Sequence, residues 1–362
     1  MENGSLFREY FIKVMNKTIY FLITFFLIFV LFSAASGDFS IDVTDHDSLT
    51  EALESIPDDA GTVTLKFSKN ILKDIDKNIY LPDDRNIKDI LLEVSDVDLT
   101  ISLPEIERIC ANGVPLTIGE GIVLEYASIY GGACVSGEQV QIKSSSLTIS
   151  GTVGFVFGGG FAENGGSSEV MEPSVTLTKS GTAYYEIFGG GHAFGKGSRV
   201  FSENTTVLIE GNADYVLGGG FAEGGGLSEC TQTNVTTAEG STVAIALFTG
   251  GSASGKGSLS TVGNAKAVAS GIAHWAFSGD FAFGGGETRL EHASRLEILP
   301  TGRSEIAYMG SFASDMGSDA YVNTSELMSC GETGQILQNS QSADGGKAKT
   351  LIKALFPCEA GD

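Results

Sequence analysis

Seven alanines, Ala133, Ala162, Ala193, Ala222, Ala253, Ala282 and Ala313, divide the second half of the chain at steps of 29, 31, 29, 31, 29 and 31 residues. One phrase runs into each of the last six: Phe157-Gly-Gly-Gly-Phe161, Phe188-Gly-Gly-Gly-His192, Leu217-Gly-Gly-Gly-Phe221, Phe248-Thr-Gly-Gly-Ser252, Phe277-Ser-Gly-Asp-Phe281 and Tyr308-Met-Gly-Ser-Phe312. A fixed period near 30 residues means stacked units, each burying one face only against its neighbours. The chain is therefore a repeat protein.

From about residue 140 each parcel reads as three segments. A strand comes first, as in Val175-Thr-Leu-Thr178 or Val207-Leu-Ile209, and a glycine turn such as Gly181 or Gly211 ends it. The second strand carries the aromatic-glycine phrase into the marker alanine, and a Gly/Ser turn leads to a third short strand such as Ser198-Arg-Val-Phe201. Three strands in about 30 residues make one coil of an all-β, parallel β-solenoid, whose coils stack at about 4.8 Å; ten such coils predict a rod of about 45 to 50 Å. The turns alternate: a Gly pair follows Ala162, Ala222 and Ala282, whereas x-Gly-Lys-Gly-Ser follows Ala193 and Ala253. The true repeat is thus a 60-residue pair of coils. A propeller or β-prism of antiparallel strands could use the same pairing, and the parallel solenoid is the preferred reading.

Four regions follow. Residues 1–37 read as a secretory signal peptide, with Lys13 and Lys17 before the apolar run Thr18 to Phe32 and small residues at its exit. That run is short for a membrane span, which needs about 20 residues. Residues 38–110 hold a cap helix at about 47–56, with Ser48 and Glu51 as a capping box, and irregular first coils. Residues 111–330 are the glycine-rich solenoid. Residues 331–362 are a tail, in which the polar stretch 331–346 is expected to be loose and Lys347 to Phe356 to form a second, amphipathic cap helix.

With residues 1–37 removed the net charge is −24, which rules out nucleic acid and anionic lipid as electrostatic partners. No membrane contact is expected beyond the signal peptide. Five cysteines in an exported chain leave one over; Cys330 with Cys358 and Cys110 with Cys134 are the disulfide candidates, and Cys230 is the odd one. There is no Cys-x-x-Cys and the four histidines are isolated, so no zinc site is predicted.

The acidic cap helix followed by loosely spaced strands resembles the opening of pectate-lyase-like right-handed β-helices. The phrase Phe-Gly-Gly-Gly-x-Ala, alternating with Thr-x-Val-x-Ile strands, is similar to the glycine-rich repeats of bacterial adhesin-like surface proteins. The resemblance spans residues 45–330 and implies a β-helix, an extracellular setting and adhesion.

Chemistry is harder to find. Gly190 to Gly197 and Gly250 to Gly257 read G-x-x-x-x-G-K-G, but Gly197 and Gly257 replace the hydroxyl that a nucleotide loop needs for magnesium. Calcium-binding glycine repeats need an Asp in each turn, and only Asp280 and Asp315 offer one, so a structural calcium is confined to those two places. Glu163 and Glu223 are equivalent but two coils apart, as are Lys196 and Lys256, so neither ladder combines acid with base. No catalytic residue and no cofactor are assigned. His274, Trp275 and Asp280 break the repeat in a single coil, and Trp275 is the only tryptophan; these three are the binding candidates.

Two aromatic rows remain, Phe157 to Tyr308 and Phe161 to Phe312. If Gly159 and its equivalents are ordinary strand residues, Val156, Ile187, Val216 and Leu247 face inward and both rows face outward; a bulge there turns at least one row into the core. Stacked core aromatics are preferred, because long exposed rows invite aggregation. The functional expectation is a secreted or cell-surface, non-enzymatic, adhesin-like protein. It would present turn residues and a flat, nearly side-chain-free face to a polysaccharide or extracellular protein. The alternative is a polysaccharide lyase or glycoside hydrolase of pectate-lyase-like fold.

Overall fold

The computed structural model describes residues 38–57, 60–69, 78–82, 87–356 and 358. The expected signal peptide lies outside them. The described chain winds into a parallel β-solenoid of about ten turns, bounded by sheets of 12, 11 and 8 strands. One coil shows the plan: Ser167–Leu177 lies in the first sheet, Thr182–Phe188 in the second and His192–Phe194 in the third, before Arg199–Ile209 returns to the first. Each strand pairs in parallel with its equivalents one coil before and after.

The coil is cut differently from the sequence expectation. The third segment, Ser198 to Phe201, and the first segment of the next coil form one continuous strand, Arg199–Ile209. The aromatic-glycine phrase is split instead, with Phe188 ending the second sheet and His192 opening the third. The glycines make that break because their backbones stack in contact. A Cβ on Gly159 would lie 2.6 Å from the Gly191 nitrogen, and one on Gly190 2.8 Å from the Gly220 nitrogen. Only glycine fits the central position of such a column. From inside, hydroxyls of the first sheet hold the bend: Ser145, Thr205 and Thr233 donate to the carbonyl oxygens of Gly158, Gly218 and Thr249 at 2.6, 2.7 and 2.7 Å.

The main core lies between the first and second sheets. Val175, Leu177 and their equivalents meet Val153, Val156, Ile187, Val216 and Leu247, all fully buried. Ala162, Ala193, Ala222, Ala253, Ala282 and Ala313 point inward from the third sheet. Ala133 does not belong to that column. Val135 pairs with Ala162, so the 29-residue step from Ala133 was a coincidence of spacing. The alternation of coils is real: Ser167 pairs with Arg199 and Arg199 with Leu227, steps of 32 and then 28 residues along the first sheet.

At the N-terminal end, Phe39–Val43 pairs with Thr62–Phe67, and the helix His46–Ser55 sets Leu49, Ala52 and the following Ile56 into the core. Its capping box is Asp45 with Ser48, not Ser48 with Glu51: Asp45 Oδ1 accepts from the Ser48 nitrogen at 2.9 Å, and Ser48 Oγ accepts from the Asp45 nitrogen at 3.0 Å.

The C-terminal expectation is overturned. Residues 331–346 are not a loose linker but a further coil, with Glu332–Leu337 and Gln341–Ala343 joining the second and third sheets. Lys347–Phe356 is a strand of the first sheet rather than a cap helix, hydrogen-bonded along Asp319–Ser329. A neighbouring coil supplies a ready template, and that outweighs helical periodicity in ten residues. Disulfides join Cys330 to Cys358 and Cys110 to Cys134, and Cys230 is free and buried.

Candidate functional site

Val156 faces the interior, so its neighbour Phe157 faces out; Ala162 faces the interior, so Phe161 and Glu163 face out. Both aromatic rows therefore lie outside the solenoid. They are nonetheless largely covered, because the second and third sheets meet at a re-entrant angle and the rows pack against each other there. The preferred core placement is corrected on this point: burial comes from a concave outer corner, and the slip in alternation lies before the phrase, between Val153 and Val156, rather than at its glycines. The central glycine has positive φ in only one phrase, at Gly310.

Along the first row the rings stack face to face. Centroids lie 4.8 Å apart for Tyr130 and Phe157, 4.9 Å for Phe157 and Phe188, 4.5 Å for Phe248 and Phe277, and 4.2 Å for Phe277 and Tyr308. Across the corner, Phe188 meets Phe221 at 5.6 Å and Phe248 meets Phe281 at 5.5 Å. Such pairs contribute about 0.5 to 1.5 kcal/mol each beyond their buried area. Cys110 occupies the first row before Tyr130, and Cys134 the second row before Phe161. Their disulfide thus clamps the corner covalently where aromatic pairs clamp it elsewhere. The glycine triplets lie buried at this bend, so the expected bare glycine face is not presented to solvent.

At the N-terminal part of the corner the rows part around a cavity of about 370 Å³. Its second-sheet wall carries Arg108, Phe155 and Glu186; its third-sheet wall carries Glu163, Phe194 and Glu223. His192 lies between them. Its Nδ1 is 3.3 Å from the Tyr130 hydroxyl. Its Nε2 is 3.3 Å from Glu223 Oε2, an ion-pair contact in which this buried nitrogen makes no hydrogen bond. Burial pushes His192 below its ordinary pKa and Tyr130 above its own. The His192 ring holds the Glu223 carboxyl below the usual range, whereas burial, reinforced by the nearby Glu223 charge, lifts Glu186 to about 7. The Arg108 guanidinium sits over the Phe161 ring, 4.0 Å from its centroid.

Sequence reasoning missed this cluster. It weighed acidic and basic ladders separately and found no acid beside a base, yet His192 and Glu223 stand on adjacent coils. A histidine in a column that is otherwise largely aromatic, one coil from a glutamate, was the available signal. Arg108 and Tyr130 precede the phrase-bearing repeats and carried none.

The binding candidates are not brought together. Trp275 stands on the second-sheet wall in the same column as Phe155, Glu186 and Tyr215. His274 is exposed beside it and pairs with Glu305 at 3.2 Å. Asp280 points into the interior instead, fully buried, with Oδ1 accepting from the Gly251 nitrogen at 3.1 Å and Oδ2 unpaired. Asp315, the other calcium position, accepts from the Gly284 nitrogen at 3.2 Å. Among the described residues, no three His, Cys, Asp or Glu side chains are grouped to hold a metal ion, and no helix is long and apolar enough to cross a membrane. The chain matches no family model, no curated protein and no solved structure.

Proposed function

We propose that this chain is an exported glycan-binding protein that holds a saccharide chain along the concave aromatic corner of its solenoid. The single observation that carries the reading is the cavity itself. It is an outward-facing groove with aromatic walls and a few convergent polar groups, the composition expected of a small-ligand site. Aromatic faces suit the apolar faces of sugar rings, and Tyr130, Glu186, His192 and Glu223 supply hydrogen-bonding groups for hydroxyls. A cell-surface setting with adhesin-like duty agrees with the sequence resemblance and the signal-like segment.

The groove rather than the turns is the binding surface in this reading. Phe194→Ala and Trp275→Ala remove rings that are 45 % and 36 % exposed, so neither should disturb folding. Each is expected to weaken binding of a glycan from a cell-wall and host panel by about tenfold, roughly 1.4 kcal/mol, in calorimetric titration. Val97→Ser, away from the cavity, should change nothing. Unaltered affinity in both aromatic variants would remove the groove from the reading. Export predicts that the secreted protein begins between about Ala35 and Asp38; N-terminal sequencing of a membrane-retained chain that keeps residues 18–32 would contradict it.

A further inference from the structure

The outer columns of the corner differ from coil to coil in one respect that the fold does not require. On the third-sheet wall the successive residues are Ser136, Glu163, Phe194, Glu223, Ser254 and Phe283. On the second-sheet wall they are Arg108, Ser128, Phe155, Glu186, Tyr215, Ala246 and Trp275. Serine, alanine and aromatic residues satisfy these positions elsewhere. All three carboxylates of the two columns fall around one cavity, and Glu107 adds a fourth to its lining. Arg108 is the one permanent cation in the lining of the cavity. His192 adds no compensating charge, since burial disfavours its protonated form.

Glu186 is the most telling of the three column carboxylates. It is largely removed from water, and among the described residues none donates a hydrogen bond to its carboxylate. A carboxylate in that position is costly without a partner. The aromatic wall also accepts a cation already, because the Arg108 guanidinium lies on the face of Phe161 and 6.0 Å from the Tyr130 centroid. Phe155, Phe194 and Phe221 line the same cavity.

We infer that the groove selects a cationic glycan, one whose sugars carry protonated amino groups, with ammonium groups seated among Glu163, Glu186 and Glu223 and ring faces on the aromatic walls. This rests on the groove as the glycan site and names the class of glycan. The same charge argument disfavours uronic acid polymers, whose carboxylates would meet those of Glu163, Glu186 and Glu223. The acidity of the whole chain adds long-range attraction for a polycation.

The test compares one backbone in two charge states. Oligomers of β-1,4-linked glucosamine and of N-acetylglucosamine, matched in length, are titrated into the protein at mildly acidic pH, where the free amines are protonated and an arriving ammonium displaces the proton of Glu186, whose pKa in the free groove is lifted to about 7. The amine-bearing oligomer is expected to bind at least about tenfold tighter, the equivalent of roughly 1.4 kcal/mol. That advantage should shrink as salt is raised. The double variant Glu163→Gln, Glu186→Gln should abolish the preference, the amine-bearing oligomer losing at least about tenfold more affinity than the acetylated one, and circular dichroism and thermal melting verify that it folds. Equal or tighter binding of the acetylated oligomer overturns the charge selection and leaves the groove reading standing. If neither oligomer binds, or if binding is indifferent to Phe194→Ala and Trp275→Ala, both fall.

Discussion

Phe277→Ala is expected to destabilise the protein by about 3 to 5 kcal/mol, the usual cost of emptying a packed aromatic site. Phe277 is buried between Phe248 and Tyr308, with centroids 4.5 and 4.2 Å away and ring planes within 10° and 3° of parallel. Phe312 closes its edge at 6.0 Å. Removing the ring therefore interrupts a column, and both flanking rings lose a face. The corner cannot collapse to fill the space, because the glycine bends behind it are already in backbone contact. Denaturant midpoints at constant slope measure the effect. A loss below about 1 kcal/mol, the range of ordinary surface changes, would mean that the corner opens to solvent and that the rows contribute little to stability.

Asp280→Asn is expected to stabilise the protein, and to do so increasingly as pH rises. The Asp280 carboxyl is completely buried, and that burial lifts its pKa from 3.8 to about 8. Below about pH 4 the group is protonated in both folded and unfolded chains and contributes no pH dependence. Between about pH 4 and pH 8 the unfolded chain has released the proton while the folded chain retains it, so stability falls as pH rises, by up to about 1.4 kcal/mol per unit. Above about pH 8 the folded carboxyl is ionised as well and the loss levels off at several kcal/mol. Asparagine keeps an acceptor for the Gly251 nitrogen and has no proton to lose. Urea midpoints for both proteins should therefore coincide near pH 4 and separate progressively toward pH 9. Parallel curves would show that Asp280 ionises without penalty, through water or an ion reaching it.

How much of this was legible beforehand can be judged residue by residue. The parallel solenoid followed from spacing, because a coil that must stack has to repeat its glycines and small inward residues at a near-constant interval. Ala162 and its five successors show it. Ala133 misled, since a lone small residue carries no register of its own. The final coil was hidden because Leu337-Gln-Asn-Ser-Gln341 has lost the phrase while keeping its length, and because a strand on an existing edge needs little propensity of its own. The aromatic corner was half legible. Alternation correctly separated Val156 from Phe157, but the angle between the second and third sheets is a property of the bend, and no local pattern encodes it. The cavity was least legible, as its residues come from six coils, and Asn78 to Glu223 are far apart in sequence.

The alternation of 32- and 28-residue steps along the first sheet carries a consequence for how such a rod can change length. A single coil removed or inserted would bring two like turns together, Gly-Lys-Gly upon Gly-Lys-Gly, and would shift every later column of the groove by one place against its neighbour. A pair of coils would slot in with every turn and every ring still opposite its proper partner. Duplication and deletion in this lineage should therefore leave rods that differ by even numbers of coils, each increment lengthening the groove by about 10 Å, the height of two strands, without disturbing the cavity at its end.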